Sequence, residues 1–310
     1  MKNGIGDYSL SIVGKWKPHG GGTLSHPLIY HGIDAAAVAL EIWERSFGPY
    51  TRQRLAQALG LKLDENQENT ASRLIAFWIG LHDIGKASPA FQIKNAGAAQ
   101  TLKSAGFPFP KNTNNNSTHH NLVTAQVLCD VLKRIHNGAN EAALREVALA
   151  VGGHHGSFAS ARALNNLNGD EVGNGKWKEA RLGIASALVK LLGVGNGVAA
   201  PLDKLAENHA FFVTLAGLTS VCDWLASAEG HFFPHDGAPT SGDEYEYWKW
   251  ARCRAKALVK ESIKWNRWDT PAAPQKFEDV FPHLGDIEPF PLQKEAHSLA
   301  QDLDGPALVI

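Results

Sequence analysis

One short stretch decides how this chain folds: Leu81-His82-Asp83-Ile84-Gly85-Lys86. It ends an apolar segment with helical periodicity, residues 71–81, and Gly85 and Pro89 then break that pattern. A histidine followed at once by an aspartate places an imidazole and a carboxylate side by side at a helix end. Both are ligand types that bind transition metals and activate water through them. The stretch therefore predicts a metal site built on helices.

Further histidines and one aspartate stand at comparable places in the chain. His31 lies just ahead of a helix predicted for residues 33–47, and His154 and His155 lie between glycines at the end of a helix predicted for 141–151. Taken singly, each is equally well a satisfied polar residue; taken together, they favour a metal site. The candidate ligands are His31, His82, Asp83, His120, His154, His155 and Asp223. We interpret the following as surface histidines without a role: His19, His26, His119, His136, His235, His283 and His297.

The number of candidate ligands indicates how many ions they would bind. Five histidines and two carboxylates exceed the four ligands of a tetrahedral zinc, so they suit two ions that share a bridging aspartate. Because the donors are mostly imidazole nitrogens, Fe, Mn, Co, Ni or Zn is favoured over Mg.

Helical periodicity dominates the first 270 of the 310 residues, and we find no convincing strand there. These residues are predicted to form one all-α domain. The formal charge of −1 does not indicate a nucleic-acid partner, so any surface that binds nucleic acid must be a local basic patch. Three widely spaced cysteines, with neither a signal peptide nor a run of about 20 apolar residues, predict a cytoplasmic protein without a membrane span. The other predicted helices are 119–136, 208–228 and 243–265, and the predicted loops are 104–118, 164–176 and 192–200.

The composition changes at the C-terminal end. Residues 270–291 hold five prolines and are predicted to be a linker, followed by a short helix at 292–303. Residues 306–310 (PALVI) resemble a buried strand. Because a protein seldom ends on an unpaired apolar strand, we expect the chain to be part of a longer protein.

The order H…HD…H…HH…D resembles the HD phosphohydrolase superfamily. Finer motifs resemble the HD nuclease domain of the CRISPR-associated helicase–nuclease of type I systems, with the I-E branch most similar. The resemblance covers roughly residues 15–235, and its most specific part is the stretch HDIGKASPAFQ. The motifs are 30–37 (YHGIDAAA), 81–92 (LHDIGKASPAFQ), 152–156 (GGHHG) and 223–227 (DWLAS).

This resemblance implies roles for individual residues. The family's ligands fall on the seven candidates, with Asp83 as the bridging catalytic carboxylate. The family usually has His-Glu at the fourth motif, so His120-Asn121 matches better than His119 does. Lys86 matches a lysine near the scissile phosphate, although a solvated lysine after a helix end is the plain alternative.

The C-terminal piece resembles the start of a RecA-like lobe of superfamily 2 helicases. Residues 290–293 (FPLQ) resemble the Q motif, in which Gln293 would bind adenine, but no phosphate-binding loop follows in this sequence. The resemblance therefore implies that ATP is a cofactor only of the full-length protein. We divide the chain into an HD nuclease domain, 1–270, and a linker with the start of a helicase lobe, 271–310.

The resemblance implies cleavage of single-stranded DNA in CRISPR interference, with the Cascade complex as partner. One alternative is an HD phosphohydrolase acting on nucleotides. Another is a non-catalytic platform that binds Cascade or an inhibitor protein. The native metal, the polarity of cutting and the oligomeric state stay open. Candidate DNA contacts are Lys86, Lys94, Lys103, Lys111, Arg252 and Arg254.

Overall fold

The computed structural model describes residues 10–19, 22–61, 65–111, 118–194, 202–264, 288, 290, 291, 294 and 295. The chain divides into two compact units, Met1–Asn266 and Arg267–Ile310. The predicted short helix is described only in part, and the predicted C-terminal strand and Gln293 lie outside the described residues.

Helices dominate the first unit, which confirms the all-α fold class. The α-helices in the part of the chain that the structure describes are α1 (Leu28–Arg45), α2 (Pro49–Ala58), α3 (Glu65–Gly80), α4 (Pro89–Gln92), α5 (Ala96–Ser104), α6 (His120–Ile135), α7 (Glu141–Gly152), α8 (Ala161–Asn165), α9 (Gly169–Val172), α10 (Lys176–Leu192), α11 (His209–Ala226) and α12 (Glu244–Ala257). Short 3-10 turns follow α3 and α10, at Ile84–Lys86 and Leu202–Glu207, and a π-helical turn, Leu258–Ser262, extends α12.

Helix α1 is the centre of this unit, and every residue from Leu28 to Trp43 is buried. A helix that is buried all round must be covered on every side, and α3, α11 and α12 pack against it. At the crossing with α3, a Cβ on Gly32 would lie 2.5 Å from the carbonyl oxygen of Gly80, so only glycine permits this approach. The tight crossing places the end of α3, and the His82-Asp83 pair after it, beside α1.

An antiparallel hairpin precedes α1, and the prediction of no strand before residue 271 was wrong. Strands β1 (Val13–His19) and β2 (Gly22–Pro27) pair with each other. The sequence did not predict these strands because Gly14, Pro18 and the two lysines of β1 interrupt the alternation of apolar and polar side chains that indicates strands. Contacts with distant parts of the chain hold the hairpin in place.

Two secondary-structure predictions need correction. Helix α1 begins at Leu28, so His31 lies inside it rather than ahead of it. The predicted loop at 164–176 contains the short helix α9.

Helix α11 is long and apolar enough, at 18 residues and a mean hydropathy of 1.3, to cross a membrane by length and composition alone. It packs against α1 and α7, and such packing is equally expected of a core helix.

Candidate metal centre

The seven predicted ligands converge from five separate parts of the chain. His31 comes from α1, His82 and Asp83 from the turn after α3, and Asp223 from the last turns of α11. Two ligand-like groups result, each with its donor atoms within 4.8 Å of one another. Group A is His31, His82, Asp83 and Asp223, and group B is His120, His154 and His155.

Asp83 joins the two groups because its two carboxylate oxygens face opposite ways. Its Oδ2 lies 3.2 Å from His31 Nε2 and 3.3 Å from His82 Nε2, both of group A. Its Oδ1 lies 3.1 Å from His120 Nε2 and 3.8 Å from His154 Nε2, both of group B. A single carboxylate thus offers one oxygen to each group, an arrangement that suits a carboxylate shared by two ions.

The remaining donors complete each group. Asp223 Oδ1 lies 3.1 Å from His31 Nε2 and 3.3 Å from His82 Nε2, so group A has two carboxylates. In group B, His155 Nε2 lies 3.0 Å from His120 Nε2. Group B therefore depends on imidazole nitrogens together with the Oδ1 atom of Asp83.

Two of the histidines are oriented by the same backbone contact. His82 Nδ1 donates to the carbonyl oxygen of Ile79 at 2.9 Å, and His154 Nδ1 donates to that of Val151 at 2.8 Å. Because a carbonyl can only accept, the proton of the neutral ring lies on Nδ1 and the lone pair on Nε2 points into the site. This arrangement, with one nitrogen fixed by the protein, is typical of metal-binding histidines.

The site contains buried polar atoms that lack a hydrogen bond within the described residues, among them His82 Nε2, His154 Nε2 and Asp83 Oδ1. Burying such atoms without a partner is costly. All three belong to residues of the two groups, and divalent cations bound by these groups would satisfy them. The donor set thus fits metal binding, as the sequence predicted.

The pKa shifts of the metal-free site also fit metal binding. Burial alone would lower the pKa of His82, but the carboxylates of Asp83 and Asp223 outweigh it and raise this pKa to about 9. Burial would raise the pKa of Asp83, but Lys86, His82 and His120 hold it well below its usual range. Burial and the nearby charge of His82 lower the pKa of His154 to about 3. Asp83 therefore keeps its negative charge among these donors, as a metal ligand requires.

Lys86 belongs to this site and is not the solvated lysine of the plain alternative. It is 8% exposed, and its Nζ lies 2.5 Å from Asp83 Oδ2 and donates to the carbonyl oxygen of Gly14 at 3.1 Å. Gln92, from the same sequence motif, donates to the carbonyl oxygens of Val13 at 2.8 Å and of Lys86 at 2.9 Å. The motif thus attaches strand β1 to the metal centre.

Sequence reasoning missed a buried network behind His31. Asp34 accepts a hydrogen bond from His26 Nε2 at 2.8 Å and one from the hydroxyl of Tyr247 at 3.0 Å. His26 is 5% exposed, so its interpretation as a surface residue was wrong. The ring of Tyr30 also stacks on Tyr247, with centroids 3.7 Å apart. This network fixes α1 against α12, and the signal available in the sequence was Asp34, one turn after His31.

The other predicted residues lie outside the two groups. His119 is exposed, whereas His136 is only 7% exposed and was wrongly interpreted as a surface residue. Of the candidate DNA contacts, Arg252 donates to the carbonyl oxygen of Ala37 and to Glu44, and Arg254 to the carbonyl oxygens of His231 and Gly230. These two arginines are therefore used within the fold.

Comparison with known proteins shows the family to which this chain belongs. Residues 14–232 match the family model described as Cas3, HD domain. The chain is 32% identical over 297 residues to the CRISPR-associated endonuclease/helicase Cas3 of Thermus thermophilus, covering 92% of this chain and 29% of that protein. It is 29% identical over 240 residues to the CRISPR-associated nuclease/helicase Cas3 of Streptococcus thermophilus, covering 67% of this chain and 23% of that protein. The chain thus spans less than a third of the length of these curated relatives.

A solved structure gives the same result at the level of the fold. The crystal structure of the Thermus thermophilus Cas3 HD domain in the presence of Ni²⁺ is similar with a TM-score of 0.57 and 28% identity, covering 81% of this chain and 89% of that one. The resemblance predicted from the HDIGKASPAFQ stretch is confirmed at the level of the family, while the I-E branch stays a prediction. The chain belongs to the Cas3 HD domain family.

Proposed function

We propose that this chain is a metal-dependent nuclease domain that hydrolyses phosphodiester bonds of single-stranded DNA at a centre of two divalent transition-metal ions. One observation carries the proposal: the two oxygens of Asp83 face two separate groups of donors, at 3.2 Å and 3.1 Å from the nearest histidine nitrogens. A single-ion site needs no such bridge. Family membership supports the nuclease activity.

The residues have distinct tasks in this mechanism. His31, His82, Asp83 and Asp223 would hold one ion, and Asp83 with His120, His154 and His155 would hold the other. When bound, two such ions polarise a phosphate and increase the acidity of water. The carbonyl oxygens of Ile79 and Val151 keep the Nε2 atoms of His82 and His154 directed at the site. The Nζ atom of Lys86 lies 2.5 Å from Asp83 Oδ2, where it would stabilise the negative charge of a phosphate.

The test is a metal-reconstitution assay. The purified chain is stripped with a chelator, then supplied with Mn²⁺, Fe²⁺, Co²⁺, Ni²⁺ or Mg²⁺ and assayed on circular single-stranded DNA and on a panel of nucleoside triphosphates. We expect cleavage of the circle with the transition metals, weaker activity with Mg²⁺, and none after chelation, because imidazole is a softer donor than Mg²⁺ prefers. Hydrolysis of nucleotides without DNA cleavage would instead favour the nucleotide phosphohydrolase. Metal binding without hydrolysis of either would favour the binding platform.

The partner and the location rest on family membership alone. We propose that a longer protein containing this domain acts in the cytoplasm with the Cascade complex, and that a helicase lobe with ATP and Gln293 supplies the DNA strand. Co-purification of the full-length protein with Cascade on a target DNA tests the partner, and ATP should leave the nuclease rate of the 310-residue chain unchanged.

A further inference from the structure

A pocket of about 270 Å³ lies between strand β1 and the C-terminal end of α11. It is lined by Lys15, Trp16, Lys17, Ser227 and Phe233, and we refer to it as the hairpin pocket. Lys15 and Lys17 lie two residues apart on β1, so they share one face of the strand at a spacing of about 7 Å. The hairpin pocket thus presents two ammonium groups along one edge.

The hairpin pocket is adjacent to group A of the metal centre. Lys15 Nζ donates to the hydroxyl oxygen of Ser227, and that hydroxyl donates to Asp223 Oδ1 at 3.1 Å. One hydroxyl group therefore separates the ammonium of Lys15 from a carboxylate of the candidate centre. A phosphate that reached Lys15 would lie next to one held at the ions.

The other walls are suited to a nucleotide. The ring of Phe233 lies flat on the imidazole of His26, with centroids 4.8 Å apart, and His26 is itself held by Asp34. This arrangement gives the pocket a fixed apolar surface. Lys17 is paired with Glu229 at 2.5 Å, but the two side chains are 43% and 79% exposed, and solvent-exposed pairs of this kind contribute little. Lys17 can therefore exchange Glu229 for a phosphate at low cost.

The hairpin cannot shift independently of the metal centre. The backbone of Val13 is bonded to the buried side chain of Gln92, and the carbonyl oxygen of Gly14 accepts from Lys86, which lies on Asp83. Lys15 is the next residue along β1. Its distance from the candidate ions is thus fixed by the same motif that carries Asp83.

We propose that the hairpin pocket binds the phosphate next to the scissile one in a single-stranded nucleic acid, with Lys15 and Lys17 contacting its oxygens and Phe233 contacting the base or sugar. This inference rests on the proposed nuclease function and names its substrate subsite. The plain alternative is that Lys15 only neutralises Asp223.

The experiment measures binding without cleavage. A fluorescein-labelled oligothymidylate of twelve nucleotides is titrated with the metal-free 310-residue chain in chelator, and anisotropy is followed at several salt concentrations. For single strands, the slope of log K against log salt changes by about 0.7 for each phosphate that the protein no longer neutralises. We expect Lys15→Met to weaken binding several-fold and to reduce the slope by about that amount, and Lys15→Arg to restore both.

Lys133→Met is the matched control. It removes the same charge from the far end of α6, 13 residues and so about 20 Å along the helix from His120. It should leave the slope unchanged. Binding of Mn²⁺, measured by calorimetry, should be retained in Lys15→Met. Loss of Mn²⁺ binding with an unchanged salt slope would overturn the subsite and favour the neutralising role.

The two proposals fail in different ways. If the unaltered chain neither binds the oligonucleotide nor cleaves DNA with any metal, the nuclease function itself is wrong. If it binds and cleaves but Lys15→Met has the same affinity and slope as the unaltered chain, only the hairpin pocket is refuted. Circular dichroism of each variant checks that it is folded.

Discussion

Gln92 and Val13 exchange two hydrogen bonds across 79 residues of sequence: Val13 N donates to Gln92 Oε1 at 3.1 Å, and Gln92 Nε2 donates to the carbonyl oxygen of Val13 at 2.8 Å. This contact explains why a glutamine lies in a helix turn that is otherwise apolar. It joins a strand that sequence reasoning missed to the motif that identified the family.

Replacing that glutamine should destabilise the fold. Gln92→Leu keeps a similar volume but leaves backbone groups of Val13 and Lys86 buried without their partner, and each such group costs about 1–3 kcal/mol. We expect the free energy of unfolding to fall by at least about 2 kcal/mol in urea titrations. The matched control Gln126→Leu, at an exposed position of α6, should change it by no more than about 0.5 kcal/mol. Equal effects of the two would contradict the role of Gln92.

Gly85 permits the contact between the HD turn and α6. A Cβ there would lie 2.1 Å from the carbonyl oxygen of His120 and 2.5 Å from the amide nitrogen of Thr124. Gly85→Ala should therefore displace His120 and abolish activity while lowering the melting temperature. Gly217→Ala, where a Cβ meets nothing within 4 Å, should be neutral or stabilise α11 by up to about 1 kcal/mol. Thermal melts and cleavage assays on both variants check this pair.

The bridging position of Asp83 predicts the stoichiometry of metal binding. We expect Asp83→Asn to lose both ions and all cleavage, because each of its oxygens faces a different group. Asp223→Asn touches group A alone and should retain one ion in group B. Calorimetric titration with Mn²⁺ should give two, one and no ions for the unaltered chain, Asp223→Asn and Asp83→Asn. Asp236→Asn, at an exposed position, is the control. A single ion in the unaltered chain would refute the two-ion mechanism.

Replacing His119 and replacing His120 should have very different effects on the cleavage rate. His120 Nε2 lies 3.1 Å from Asp83 Oδ1, whereas His119 is exposed at the N-terminus of α6. We expect His120→Ala to reduce the cleavage rate by several orders of magnitude and His119→Ala to reduce it little. The reverse order would show that the fourth motif was aligned one residue out.

His136 should make the metal-free protein sensitive to acid. Burial lowers its pKa from 6.5 to about 4, so the folded state binds the proton less well than the unfolded chain. The stability that neutral His136 permits is fully present above pH 6.5 and is lost as the pH falls toward 4. Over this range the free energy of unfolding falls by at most about 1.4 kcal/mol per pH unit because of this histidine. His136→Phe, placed between Phe77 and Trp78, should flatten the acid limb of a plot of unfolding free energy against pH. If His136→Phe leaves the acid limb unchanged, His136 is not the cause of the acid sensitivity.

The sequence by itself determined the helical class and the set of candidate ligands. Apolar periodicity is a local property, and His82-Asp83 with its following glycine and lysine is a local motif, so both can be recognised without knowing which parts of the chain meet. The same local signal could not separate a bridging aspartate from an ordinary ligand, because that role depends on His31, His120 and His154 lying around it.

Only the tertiary structure decided the hairpin, the buried position of His26 and the place of Lys15. Strand β1 has little alternation of its own, and besides its pairing with β2 its backbone is bonded to the distant side chains of Gln92 and Lys86. Asp34 meets Tyr247 across 213 residues, and Lys15 meets Ser227 across 212. Such contacts form because packing α1 against α3, α11 and α12 buries its apolar residues and brings distant parts of the chain together, and no single segment encodes that packing.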